Sequence, residues 1–212
     1  MRKTSKTSKK DTKMTDKILG MTFAELVDKA RDGGACKEAV EALNELGSFE
    51  ALLRDPILSS YWAYWWASNI GDRDHMKQYV TDQYWAYMWA KDIGDSDQMI
   101  QYVTDSEWAY MWARNIGDRE HMIQYVTESE WAYWWVKDIG DKDHMIQYVA
   151  DSKWAYYWAR YIGDREHMRQ YVNDPEWAYI WAKWIGDKDH MIKYVEGSKW
   201  AYWWAKDFED YC

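Results

Sequence analysis

From Trp62 onward one pattern of apolar and polar positions repeats every 23 residues without insertion. Trp-Ala-Tyr stands at 62, 85, 108, 131, 154, 177 and 200, and Ile-Gly-Asp at 70, 93, 116, 139, 162 and 185. Within one unit, Trp108, Ala109, Trp112, Ala113 and Ile116 fall on a single stripe of an α-helix. Asp105 precedes that stripe as an N-cap, with Ser106 and Glu107 in the first turn. In a later unit the same place reads Asp174-Pro175-Glu176, and proline at the first helical position fixes where the helix starts. Gly117 stops the helix. Asp118 is then expected to cap a second one of eight residues, about 12 Å long, with Met122, Tyr125 and Val126 facing inward. Helices this short are marginal alone, so each unit must bury its stripe against its neighbours.

Upstream, the pattern is degenerate. Thr22 and Glu25 fit a capping box ahead of Leu26 and Ala30, and Gly33-Gly34 stops that helix. Ala39, Val40, Leu43 and Leu46 mark a second helix ending at Gly47. Ser48 caps a third, which Pro56 closes. Leu46-Gly47-Ser48 aligns with Ile70-Gly71-Asp72, so residues 36–60 read as a first repeat that has lost its aromatics. The expected organisation is a disordered basic tail at 1–17 and a helical N-terminal cap at 18–61. Six tandem repeats follow at 62–199, then a C-terminal half-repeat at 200–212 that lacks the second helix and leaves Trp200 and Trp204 partly uncovered.

A fixed period of this size is the mark of a stacked array. Residues 36–212 resemble in architecture the α-solenoid class that includes HEAT, armadillo and tetratricopeptide repeats. Their sequence patterns are absent, and 23 residues is a shorter period than any of the three. The resemblance implies an all-α fold: a right-handed-type α-solenoid of stacked two-helix repeats behind a degenerate helical N-cap.

Composition adds one constraint on folding. Eighteen Trp, eighteen Tyr and a 48% hydrophobic fraction leave no room for general disorder. Charge adds one on partners. The net charge is −9, but residues 1–17 carry seven bases and two acids, so the rest is more acidic still. Direct nucleic-acid binding is therefore disfavoured for the repeat body. The longest apolar run, Tyr61 to Ala67, is too short for a bilayer, and the basic N-terminus has no apolar stretch behind it. Cys36 and Cys212 form neither a disulfide framework nor a metal spacing. An intracellular, cytoplasmic setting is expected.

No catalytic or cofactor signature appears. His75, His121, His144, His167 and His190 form one file, but copies a layer apart cannot share an ion; a bond back to the preceding Asp explains them better. The Asp and Lys/Arg files suit the helix dipoles. The Gln and Tyr files are expected to form hydrogen-bonded ladders from layer to layer.

Function should then sit where the repeats disagree. One such column runs Trp65, Met88, Met111, Trp134, Tyr157, Ile180 and Trp203. Four residues on, a second runs Asn69, Asp92, Asn115, Asp138, Tyr161, Trp184 and Asp207. The first is either outer core or an exposed ridge of the residue types that dominate binding hot spots. The expectation is a non-enzymatic scaffold that holds another protein along an extended face. The candidate anchor residues are Trp65, Trp134, Tyr157, Tyr161, Ile180, Trp184 and Trp203. A monomer is expected, with end-to-end association as an option that Lys206, Asp207, Glu209 and Asp210 discourage. The alternatives are an acidic mimic that sequesters a nucleic-acid-binding protein, and direct nucleic-acid binding through the aromatics and the basic tail.

Overall fold

The computed structural model describes residues 18–208, so the expectations for the basic tail and for the last four residues lie outside it. The described chain is all-α. It holds sixteen α-helices and, in place of strands, a single isolated bridge between Ile18 and Met21. No helix among them is long and apolar enough to cross a membrane. The chain divides into two compact units, one up to Thr104 and one from Asp105.

The first unit opens with α1 (Phe23–Asp32). Its capping box is formed: the Thr22 amide donates to Glu25 Oε2 at 2.7 Å, and the Glu25 amide donates to Thr22 Oγ1 at 3.4 Å. Leu26, Val27 and Ala30 are its buried face. Of the glycines behind it, Gly34 (φ 90°) takes the positive φ, while Gly33 does not. Helices α2 (Lys37–Leu46) and α3 (Phe49–Arg54) follow, separated by the left-handed Gly47 and capped at Ser48 as expected. Pro56 does more than close α3. It is the first residue of α4 (Pro56–Asn69), with Asp55 Oδ1 accepting from the amides of Ile57 and Leu58. The first aromatic helix therefore begins well before Trp62. Helices α5 (Arg73–Met76), α6 (Gln83–Asp92) and α7 (Ser96–Met99) complete this unit.

In the second unit the longer helices are α8 (Ser106–Asn115), α10 (Ser129–Asp138), α12 (Ser152–Tyr161), α14 (Pro175–Trp184) and α16 (Trp200–Phe208). Between them lie α9 (Arg119–Met122), α11 (Lys142–Met145), α13 (Arg165–Met168) and α15 (Lys188–Val195). Each long helix packs on its equivalent in the next repeat: α8 on α10, α10 on α12, α12 on α14 and α14 on α16, as α4 does on α6 in the first unit.

The core is one layer copied. Ala109, Trp112, Ala113, Met122 and Val126 are buried, and so are Ala155, Trp158, Ala159, Met168 and Val172. Trp62 is buried, but from Trp85 on the first Trp of each repeat is half-buried, and in the second unit its ring lies against the Tyr of the repeat before: Tyr110 with Trp131 (5.5 Å), Tyr133 with Trp154 (5.3 Å), Tyr156 with Trp177 (5.7 Å) and Tyr179 with Trp200 (5.5 Å). The indole N–H groups of Trp135, Trp158 and Trp181 are buried without a hydrogen-bond partner. An unsatisfied donor costs about 1–3 kcal/mol. Burying an indole gains roughly 5 kcal/mol, taking about 200 Å² at about 25 cal/mol per Å², so packing wins. At the C-terminal end Trp204 is covered after all, with Phe208 against its ring at 4.6 Å; Trp200 is half-buried.

Four expectations are corrected. The second helix of each repeat is shorter and tighter than predicted: α9, α11 and α13 have four residues each, followed by a three-residue 3₁₀ turn such as Ile123–Tyr125. Only α15, with eight residues, has the expected form. Secondly, the Asp after each glycine is seldom a capping side chain. Asp118 alone accepts such a bond, from the His121 amide at 3.4 Å. What the six share is a left-handed backbone, with φ between 52° and 65°. Asp tolerates that region and bulky or branched residues do not, so the position selects Asp by backbone geometry. Ser48, extended at φ −158°, lacks this turn, so residues 36–60 match the repeat at the helix stop and differ immediately after it. Thirdly, the Gln file forms no interlayer ladder: Gln78, Gln101, Gln124, Gln147 and Gln170 are exposed, and each donates to the carbonyl three residues back. Lastly, only the His75 side chain bonds back to its Asp, at 2.6 Å. His121, His144, His167 and His190 pack on the Tyr four residues on.

Serine instead ties each long helix to the second helix that follows it. Ser152 Oγ donates to the Tyr171 carbonyl at 2.9 Å and accepts from the amides of Asn173 and Asp174 at 3.1 and 3.2 Å. Ser60, Ser106 and Ser129 make equivalent clasps. Pro175 has no hydroxyl to offer, and there the second helix runs on as α to Val195 with no 3₁₀ turn.

Candidate functional site

The Tyr file does join layers, through an acid the sequence did not single out as its partner. Tyr64 donates its hydroxyl to Asp92 at 2.7 Å. Tyr110 donates to Asp138 at 2.5 Å, and Tyr179 to Asp207 at 2.5 Å. One turn after each of the last two stands a cation. Arg114 donates to the Tyr110 hydroxyl at 2.9 Å and pairs with Asp138 at 3.3 Å. Lys183 donates to the Tyr179 hydroxyl at 3.1 Å and to Asp207 at 2.7 Å. The unit is thus a triad of Tyr and Lys/Arg on one helix, closed by an Asp from the next repeat.

The electrostatics follow from that closure. Burial, followed by the bond to the carboxylate, pushes the Tyr64 phenol up to about 12, and the same causes do so at Tyr110. Lys183 and then Tyr179 hold Asp207 below the usual carboxylate range, and Asp207 in turn raises Lys183.

Two consecutive triads in the second unit are open. Tyr133 and Lys137 should meet position 161, and Tyr156 and Arg160 should meet position 184; these are Tyr161 and Trp184 rather than acids. Among the described residues, neither Lys137 nor Arg160 has a carboxylate in ion-pair contact. Aromatic rings stand in. Lys137 Nζ lies 4.5 Å from the centre of the Trp134 ring and 5.9 Å from that of Tyr133. The Arg160 guanidinium sits between Tyr161 at 5.6 Å and Trp184 at 5.3 Å. Burial, as the first cause, keeps the Tyr133 and Tyr156 phenols raised, with the Arg160 charge pulling the other way at Tyr156.

Tyr161 and Trp184 are 62% and 60% exposed, large rings on an otherwise polar column. Tyr161 stacks on Tyr157, with ring centres 6.2 Å apart and planes 17° apart. Tyr157 also touches Trp154 and Trp177, and Trp154 meets Trp134. Shallow cavities open beside these rings: one of about 360 Å³ is lined by Tyr133, Trp134, Lys137, Lys153, Trp154, Tyr157 and Tyr161. Lys153 Nζ adds a third cation, 4.7 Å from the centre of the Trp154 ring.

Of the residues singled out from sequence, Trp134, Tyr157 and Tyr161 belong to one cluster, to which Arg160 ties Trp184. Ile180 is half-buried on the helix that carries Trp184. Trp65 lies in the first unit, half-buried against Trp62. Trp203 is 45% exposed and meets Tyr202 and Lys206. The column of Trp65 is half-buried at every position except Trp203. Sequence reasoning missed Lys137, Lys153 and Arg160 as parts of the patch. Their signal was present as the Tyr-to-cation spacing of four, with an acid at 28 from the Tyr in closed triads and an aromatic in open ones.

No three His, Cys, Asp or Glu among the described residues cluster in a way that could hold a metal ion. No family model, curated protein or solved structure matches the chain.

Proposed function

We propose that the chain is a right-handed-type α-solenoid acting as a non-enzymatic binding scaffold, with another protein as its partner. The repeats from Trp62 would supply the stacked frame behind a helical N-terminal cap. The patch around Tyr157, Tyr161 and Trp184 would supply the anchor. The observation that carries this reading is the pair of exposed rings at 161 and 184, flanking Arg160, in a column that is otherwise Asn or Asp. Neighbouring repeats show that the fold accepts a carboxylate there, so packing does not demand the rings. Exposed Tyr, Trp and Arg at the centre of one patch are the composition of an interface hot spot. The framework residues repeat in every layer, whereas this cluster occurs once, which is what a single docking site requires.

The test is to change Tyr161→Asp and Trp184→Asn together and measure partner capture by pull-down with mass spectrometry. The variant should keep its helical circular dichroism and lose the proteins the parent retains. An intact fold with an unchanged set of captured proteins rules the anchor out. Capture that vanishes with moderate salt but ignores this substitution supports the acidic-mimic alternative instead.

A further inference from the structure

The open triads say what chemistry the partner brings. In closed triads the Tyr hydroxyl and the cation converge on one carboxylate: Asp138 accepts from Tyr110 and pairs with Arg114, and Asp207 accepts from Tyr179 and Lys183. In the open ones the same two donor types stand at the same spacing, Tyr133 with Lys137 and Tyr156 with Arg160; both Tyr rings are buried as in the closed triads, and the position 28 residues on offers an exposed ring. A phenol, an ammonium or a guanidinium is best matched by a charged acceptor. Asp138, next to Lys137 in sequence, is already taken by Tyr110 and Arg114 of the preceding repeat. The patch is therefore a local surplus of donors and positive charge on an acidic chain, bordered by rings.

We propose that this patch binds the side-chain carboxylates of an extended acidic peptide segment in the partner, one at Tyr133 and Lys137 and one at Tyr156 and Arg160. The proposal rests on reading the patch as a protein-binding site and names the chemistry of that partner. The two acceptors lie one repeat apart, about 8–10 Å if the helices pack at the usual distance. A peptide in the polyproline II conformation advances about 3.1 Å per residue with three residues per turn, so acidic residues at i and i+3 share one face at about 9 Å and fit both places. Apolar residues between and beside them would lie on Tyr157, Tyr161 and Trp184. Only two charges are satisfied, so a polyanion gains little here, and the acidic remainder of the chain repels one.

The experiment uses the full chain and three fluorescent probes read by anisotropy. The first is a short peptide with Glu at i and i+3 among leucines, the second its Gln-for-Glu analogue, and the third a thymidine oligonucleotide of equal length. The acidic peptide should bind, and the Gln analogue should bind roughly tenfold or more weakly. Lys137→Gln with Arg160→Gln should weaken the acidic peptide by a similar factor. Tyr161→Asp with Trp184→Asp, which supplies internal carboxylates, should do the same while leaving the helical signal intact. Lys137→Arg should retain binding. Equal affinity for the Gln analogue, or no binding of the acidic peptide by the parent, overturns the carboxylate chemistry. If the parent still captures cell proteins through Tyr161 and Trp184, the scaffold reading survives that result; if it does not, both fall. Tighter binding of the oligonucleotide replaces the peptide with a single-stranded nucleic acid.

Discussion

A single proton separates the two states of a phenol, and the Tyr file makes that proton part of the fold. Tyr64 and Tyr110 donate hydrogen bonds from their hydroxyls to Asp92 and Asp138, and their ionisation moves from 10.0 to about 12. The folded state thus favours the neutral phenol. Its contribution is complete below pH 10, where both states are protonated, and is lost between pH 10 and about 12 as the unfolded chain ionises first. Stability to urea should fall across that window, and Tyr64→Phe with Tyr110→Phe should make the fall shallower. An unaltered slope in the double variant would show that the phenols do not set it. At this scale the sequence was only partly readable. The recurrence of Tyr was plain, but its acceptor lies on another helix, and nothing local marks Asp138 as the partner of Tyr110. The Asp after each glycine shows the opposite case: its identity was read correctly and its reason was not, because Asp suits both an N-cap and a left-handed turn.

Helix limits were the most legible feature, because caps and stops are local chemistry. Thr22 with Glu25, Ser48, Pro175 and Gly47 all stand where their residue types predict. The short second helices were misjudged because helix propensity does not announce where an α-helix tightens into a 3₁₀ turn. Ser106, Ser129 and Ser152 each hold a tyrosine carbonyl of the following second helix, and there the chain tightens to 3₁₀. Ser152→Ala would leave the amides of Asn173 and Asp174 without their acceptor in a partly buried place. It should destabilise the protein by about 1–3 kcal/mol. Urea unfolding measures this directly. A loss of only a few tenths would mean that water replaces the hydroxyl and that packing of Tyr171 holds the turn.

Across a whole unit, one layer repeats the same contacts with the next, so stability should behave as a sum over layers and their interfaces. Residues 128–150 are one period, and their removal joins Thr127 to Asp151 with the helix order of the second unit kept. The shortened chain should fold, keep its helical spectrum and unfold at lower temperature. Loss of cooperative unfolding would show that the layers are not interchangeable. The all-α class and the period were evident from sequence because they are written in every repeat. The patch was half evident: Tyr161 and Trp184 stood out as departures, while Lys137 and Arg160 looked like ordinary helix-end cations until the missing acids gave them a different meaning.

The serine clasps reach forward by 19 to 22 residues and the triads by 28. Such short reach makes contact order low and folding fast. It also gives the fold a direction in time. During synthesis a layer cannot finish its hydrogen bonds until the following repeat has left the ribosome, so the nascent chain closes one layer behind its growing end. The open triads at Tyr133 and Tyr156 never receive that closing acid from downstream. In the second unit these layers keep aromatic rings beside Lys137 and Arg160 where a downstream carboxylate would otherwise arrive.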